Sequence, residues 1–200
     1  MESLRESLNA ITAYNQKSAE HIREDEAKTD HYEDIIGSYL VKLSARKIGE
    51  SDSALAAEYL RIIGDFERIA DHSVNILESA EEMQQKDIAF SAAALQEYAT
   101  MAGAVREVTA LAYDSFVSGD VQAARQVEPL EQVIDDLKEE MRTRHIHRMQ
   151  QGSCGIEAGF IWSDLLTNLE RVSDHCSNIA CCMIAVSYTH LRAHETGAYL

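Results

Sequence analysis

A twelve-residue stretch occurs twice in this 200-residue chain. Asp65 to Ile76 reads DFERIADHSVNI and Asn168 to Ile179 reads NLERVSDHCSNI, with the Glu-Arg, the Asp-His and the closing Asn-Ile identical. Two such copies mean an internal duplication. In each copy two carboxylates stand four residues apart, Glu67 with Asp71 and Glu170 with Asp174. Residues four apart on a helix are stacked neighbours on one face, where like charges repel by about 0.2–0.5 kcal/mol. Helical periodicity sets Ile63, Phe66, Ala70, Val74 and Leu77 on the arc beside this acidic stripe, so the carboxylates border the buried face. Acids at a core edge need a partner, and the same stripe holds no Lys or Arg. A bound cation is the natural candidate.

The duplication extends upstream. Glu26 with Asp30 and Glu131 with Asp135 repeat the spacing in the preceding helix of each half, and these pairs align at nearly the same offset as the first two. For any single pair the alternative is a solvated face. Four matched pairs, each costing repulsion, favour metal binding by Glu67, Asp71, Glu170 and Asp174, joined by Glu26, Asp30, Glu131 and Asp135. All-oxygen donors suit Mg, Ca, Mn or ferric iron better than zinc or copper.

The expected fold is all-α: six helices as two pseudo-symmetric three-helix bundles. One proline, nine glycines and no alternating strand pattern favour helices throughout. The expected helices cover about 2–13, 18–46, 54–85, 92–117, 121–150 and from 156 onward, with Ser118-Gly119-Asp120 breaking the pattern and capping the fifth. Ser51 to Ser53 supply N-caps, Ile22, Ile35, Ile36, Leu40 and Leu43 form the apolar side of the second helix, and Pro129 loosens the start of the fifth. The repeats fall at 1–86 and 87–185. The short first helix points to a natural start upstream of Met1. Residues 186–200 contain VSYTHLRAHET, which resembles a translated library adapter, so this tail is set aside as non-native, with His190 and His194.

A net charge of −16 without a basic stripe speaks against nucleic acid and suits cations or positively charged partners. No signal peptide and no long apolar run is present, and four cysteines without a C-x-x-C pair suit a reducing, cytosolic setting. Cys176, Cys181 and Cys182 are expected to pack as small apolar groups. His145, His147 and Cys154 could hold zinc, but two ligands at i, i+2 on a helix diverge. His72 and His175 are expected as hydrogen-bonded packing residues, and Arg68 and Arg171 in ion pairs to a neighbouring helix. No phosphate-cradling glycine loop, no Gly-x-Ser-x-Gly elbow and no Glu-x-x-His motif occurs, so enzyme chemistry is not expected.

ERIADH and ERVSDH in the third helices, with Glu-x-x-x-Asp in the second, resemble a PhoU domain over about residues 2–185. Ala70 and Ser173 replace the usual glycine, which leaves the carboxylates in place. More narrowly, YLVKLS (Tyr39 to Ser44) and HIHRMQQGSCGIEAGFIWSDLLTNLERVSDHCSNI (His145 to Ile179) resemble the cytoplasmic tail of bacterial sodium/phosphate cotransporters. The resemblance implies multinuclear metal binding through the paired carboxylates and a non-enzymatic role in controlling phosphate uptake at the inner face of the membrane. Its implied partners are a transporter region of the same polypeptide or a phosphate transporter, with a homodimer also allowed. The alternative within the family is a free-standing PhoU regulator acting on a phosphate ABC transporter and sensor kinase. A carboxylate-metal phosphatase is the rival from another class.

Overall fold

The computed structural model describes the backbone of residues 1–46 and 48–197 and the side chains of 1–46 and 48–187. It contains helices α1 (Glu2–Ala10), α2 (Gln16–Ser44), α3 (Glu50–Gln85), α4 (Ala92–Ser118), α5 (Val121–Ala124), α6 (Val127–Gln150) and α7 (Ile156–Gly197). No strand occurs among the described residues. The fold is the expected all-α duplicated bundle of six helices, with α5 as a single additional turn.

Local sequence sets most of the ends. Asn15 accepts from the amides of Lys17 and Ser18 to start α2, and Ser91 accepts from that of Ala94 to start α4. Gly119 closes α4 with φ +69, the left-handed cap that glycine adopts without steric cost. Asp120 then caps α5 through the amides of Gln122 and Ala123. Pro129 is the third residue of α6 and has no amide hydrogen to bond the carbonyl of Arg125. The chain breaks at Arg125 and Gln126, separating α5 from α6. At α3 the expected start was four residues late. Gly49 is the N-cap, and Ser51 to Ser53 lie inside the first turn, where Glu50 and Asp52 complement the positive end of the helix dipole.

Helices α1, α2 and α3 pack on one another, as do α4, α6 and α7, and the longest seam joins α3 to α7. One continuous apolar cluster runs through all of it. Along α3 the buried line is Ile62, Asp65, Ile69, Ser73, Ile76 and Ala80, and it faces this seam. Of the residues expected on the arc beside the acidic stripe, Leu77 is wholly buried and Ile63, Phe66, Ala70 and Val74 are half-buried. Ile35 and Ile36 correct the sequence reading, being 51% and 41% exposed. The start of α1 lies abreast of Asp25, to which Ser3 is hydrogen-bonded, and beyond that point α2 packs mainly on α3. The expected non-native tail begins within α7, and its side chains from 188 onward, His190 and His194 among them, lie outside the described residues.

Candidate metal centre

The second and third helices of each half lie side by side, and the acidic pairs face one another across that contact. In the C-terminal half, α6 supplies Glu131 and Asp135 while α7 supplies Glu170 and Asp174. One carboxylate oxygen each from Glu131, Asp135 and Asp174 lies within 4.8 Å of the others. Asp135 Oδ1 and Glu170 Oε2 are fully buried atoms with no hydrogen-bond partner. Burial, then Asp135 and Asp174, raises the Glu131 carboxyl above its ordinary value, and burial, then Glu170, raises Asp174.

In the N-terminal half, α2 supplies Glu26 and Asp30 and α3 supplies Glu67 and Asp71. Burial, followed by the charges of Asp71 and Asp30, raises the Glu26 carboxyl. Burial, then the charge of Asp71 and a hydrogen bond with it, raises Glu67, and Glu33 adds to the effect. Asp71 itself is exposed. All eight predicted carboxylates therefore lie along the two helix contacts. The close trio, however, forms on the C-terminal side alone among the described residues.

The acidic stripe does have cations near it. Lys138 on α6 places Nζ 2.9 Å from Glu170 Oε1. Arg171 Nη1 lies 3.2 Å from Asp174 Oδ2 and its Nε 3.9 Å from Glu170 Oε2. Arg68 Nη1 lies 4.0 Å from Asp65 Oδ1. Both arginines thus pair along their own helix rather than across to a neighbour, because i, i+3 partners are adjacent on the helix surface. Lys138 comes from a different helix, so no inspection of the α7 stripe alone could show it.

His72 and His175 stack at the α3–α7 seam with centroids 5.5 Å apart. Nδ1 of His72 donates to Asn168 Oδ1 and Nδ1 of His175 to Asp65 Oδ1, each at 2.8 Å. These are packing residues, as the sequence indicated, but their partners Asp65 and Asn168 escaped notice. The available signal was that both open the repeated stretch with a polar residue at matched positions. His145 is buried with Nδ1 3.9 Å from Cys154 Sγ, whereas His147 is exposed and hydrogen-bonds Gln151. The i, i+2 divergence is realised, and these three do not converge. Cys176 and Cys182 are buried as expected, but Cys181 is exposed.

The raised carboxyls carry a pH consequence for the metal-free protein. A carboxyl whose folded pKa exceeds its unfolded value destabilises the fold once ionised, and protonation removes that cost. In excess EDTA the melting temperature is expected to rise as pH falls from neutral toward the ordinary carboxylate value of about 4. The gain comes from Glu26, Glu67, Glu131 and Asp174 across the window between that value and their raised ones. Differential scanning calorimetry checks it. A melting temperature that only falls on mild acidification contradicts the burial of these four groups.

A duplicated six-helix bundle, with paired carboxylates along the contact between the second and third helices of each half, defines the class of this protein. The PhoU domain model matches residues 1–80 and 98–183, and the chain belongs to the PhoU family. It is 26% identical over 191 residues to "Phosphate-specific transport system accessory protein PhoU homolog 1" of Thermotoga maritima, covering 89% of this chain and 76% of that protein. A Deinococcus radiodurans PhoU homolog, also described as a phosphate-specific transport system accessory protein, is 26% identical over 132 residues, covering 64% of this chain and 59% of its own length. The crystal structure of PhoU from Pseudomonas aeruginosa superposes with a TM-score of 0.86 at 22% identity, over 94% of this chain and 89% of that one. The phosphate transport system regulatory protein PhoU from Streptococcus pneumoniae gives 0.79 at 18% identity, over 93% and 86%. No helix among the described residues is long and apolar enough to cross a membrane.

Proposed function

We propose that this chain is a regulatory accessory of phosphate transport that binds hard cations through its paired carboxylates and acts by binding rather than by turnover. Both curated relatives carry the name of a phosphate-specific transport accessory protein, which favours the free-standing regulator over the cotransporter tail. The partner is then a phosphate transport system, and the site of action the cytoplasmic side of the membrane.

The observation that carries the metal reading is the convergence of Glu131, Asp135 and Asp174 beside buried oxygens of Asp135 and Glu170 that accept no hydrogen bond. Leaving such atoms without a hydrogen bond is costly, and an oxygen-only donor set fits Mg, Ca, Mn or iron. Glu131, Asp135, Glu170 and Asp174 would hold the ions of one half, and Glu26, Asp30, Glu67 and Asp71 those of the other. A bound cation neutralises the repulsion across each helix contact and adds its binding free energy to the fold.

EDTA is therefore expected to lower the melting temperature and added Mn to restore it. Asp71→Asn combined with Asp174→Asn should remove most of that dependence. A melting curve indifferent to chelator and to Mn reduces the pairs to ordinary surface. For the transport role, deleting the gene should alter phosphate uptake, and the wild-type chain should restore it. Unchanged uptake in the deletion strain would refute that part.

A further inference from the structure

A groove runs along the contact between α6 and α7, close to the loop that joins them. It encloses a cavity of about 450 Å³, within the size range of ligand pockets, and residues of these two helices alone line it. Trp162 and Leu166 form a buried floor. Gly159 leaves room there, since a Cβ would come 3.1 Å from His145 Nε2 and 3.2 Å from Met149 Sδ. The walls carry Ile146, Met149, Ile156 and Phe160, which are 48%, 38%, 69% and 69% exposed.

The duplication supplies an internal comparison. The offsets that match the acidic pairs set Ser44 against Met149, Ser53 against Ile156 and Ala57 against Phe160. Ser53 and Ala57 are exposed, as their counterparts are. Water-facing positions that one repeat fills with Ser and Ala thus carry Ile and Phe in the other. Large apolar side chains gathered around an open groove mark a contact surface rather than solvated helix.

Charge indicates the kind of contact. Among the described residues no carboxylate lines the groove, in a chain with 34 Asp and Glu. Its ionisable groups are Lys138, Arg142 and His145. Lys138 is taken up by Glu170 at 2.9 Å, and burial, then Arg148, holds the His145 ring below its ordinary value. Arg142 is different. Its ion pair with Glu139 is long, at 3.7 Å, and both side chains are well exposed. Such a pair contributes little, so Arg142 can exchange Glu139 for a carboxylate from outside. Each edge of the groove, Lys138 to Met149 and Ile156 to Thr167, is about 16 Å long, or about three turns of helix.

We propose that this groove docks an acidic amphipathic helix of a partner protein. Its apolar side chains enter between Met149 and Phe160, and one of its carboxylates reaches Arg142. The proposal rests on the reading that this chain acts by binding a partner, and it is independent of the carboxylate clusters.

The test uses the intact chain and a fluorescein-labelled helical peptide of about 12 residues, with leucines along one face and glutamates beside them. A second peptide carries lysine in place of every glutamate. Fluorescence polarisation should show saturable binding of the glutamate peptide, and binding of the lysine peptide weaker by about tenfold or more. Arg142→Glu should reverse that preference. Ile156→Ser combined with Phe160→Ala installs the residues of the other repeat. This double variant should melt like wild type, bind the glutamate peptide about tenfold or more weakly, and fail to restore phosphate uptake to the deletion strain. Failure of the glutamate peptide to bind, equal binding of both peptides, binding unchanged by these variants, or full restoration of uptake by the double variant overturns the proposal. So does a wild-type dimer on gel filtration that the double variant converts to monomer, because a second copy then covers the groove. Adsorption to phosphatidylglycerol vesicles that the double variant loses assigns the groove to a lipid surface and overturns it as well. If the deletion strain takes up phosphate normally, the transport reading fails, and the peptide measurements alone decide this proposal.

Discussion

Replacing Arg148 by alanine is expected to destabilise the protein by about 3 kcal/mol, the lower end of the range for breaking a buried ion pair. Arg148 on α6 donates from both Nη atoms to the two carboxylate oxygens of Glu97 on α4, at 2.8 Å each. Glu97 is only 9% exposed, and the Arg148 guanidinium lies 5.7 Å from the centroid of the buried Trp162 ring. Removing the arginine strands a carboxylate in a place that water barely reaches. Arg144 Nη1, 3.7 Å from Glu97 Oε1, softens the loss and sets the expectation at the lower end. In a chain of this size the melting temperature should drop by roughly 10 °C. Glu97→Leu introduced with Arg148→Met should recover most of it, since an apolar pair of similar volume leaves no buried charge. Denaturant titration of the single and double variants separates the two causes. Equal losses in both would mean that the pair contributes packing and not charge compensation.

Ile179→Ala is expected to cost about 3 kcal/mol, within the usual span for emptying a fully buried isoleucine site. Ile179 and its repeat partner Ile76 are both wholly buried in α7 and α3. Ile76→Ala should cost a similar amount. Ile36→Ala makes the control. With that side chain 41% exposed, its loss should stay within about 0.5 kcal/mol. The same denaturant series measures all three. If Ile36→Ala were as damaging as Ile179→Ala, the exposed face of α2 described above would be wrong.

Ile36 also shows where sequence reasoning ended. Its spacing with Ile22, Leu40 and Leu43 identifies an apolar stripe, and Ile22 and Leu40 are indeed buried. Periodicity states which residues share a face but not how far a covering helix extends, and α1 stops short of Ile36. A related limit shows in α3. The arc beside the acidic stripe holds the buried Leu77 and the half-buried Phe66 and Val74, but it does not show that Asp65 is also buried, where its carboxylate is satisfied by the other repeat. The duplication, the helical class, the break near Pro129 and the lateral placement of the eight carboxylates were all legible, since each depends on spacing within one helix or between matched copies. Lys138 was not. Its role is set by which face of α6 turns toward Glu170, a tertiary fact.

The exchange at the α3–α7 seam has the form of an isologous contact. Each repeat sends a histidine to an Asx residue on the other, and the two rings meet near the local twofold. A solitary repeat could complete that exchange only by pairing with an identical chain. Within a homodimer of such chains, the two acceptors would have to be the same residue. Joined in one polypeptide they need not be, and here one acceptor is the carboxylate of Asp65 and the other the neutral amide of Asn168. Fusion has freed the two sides of a symmetric interface to mutate separately, and at this seam they have done so.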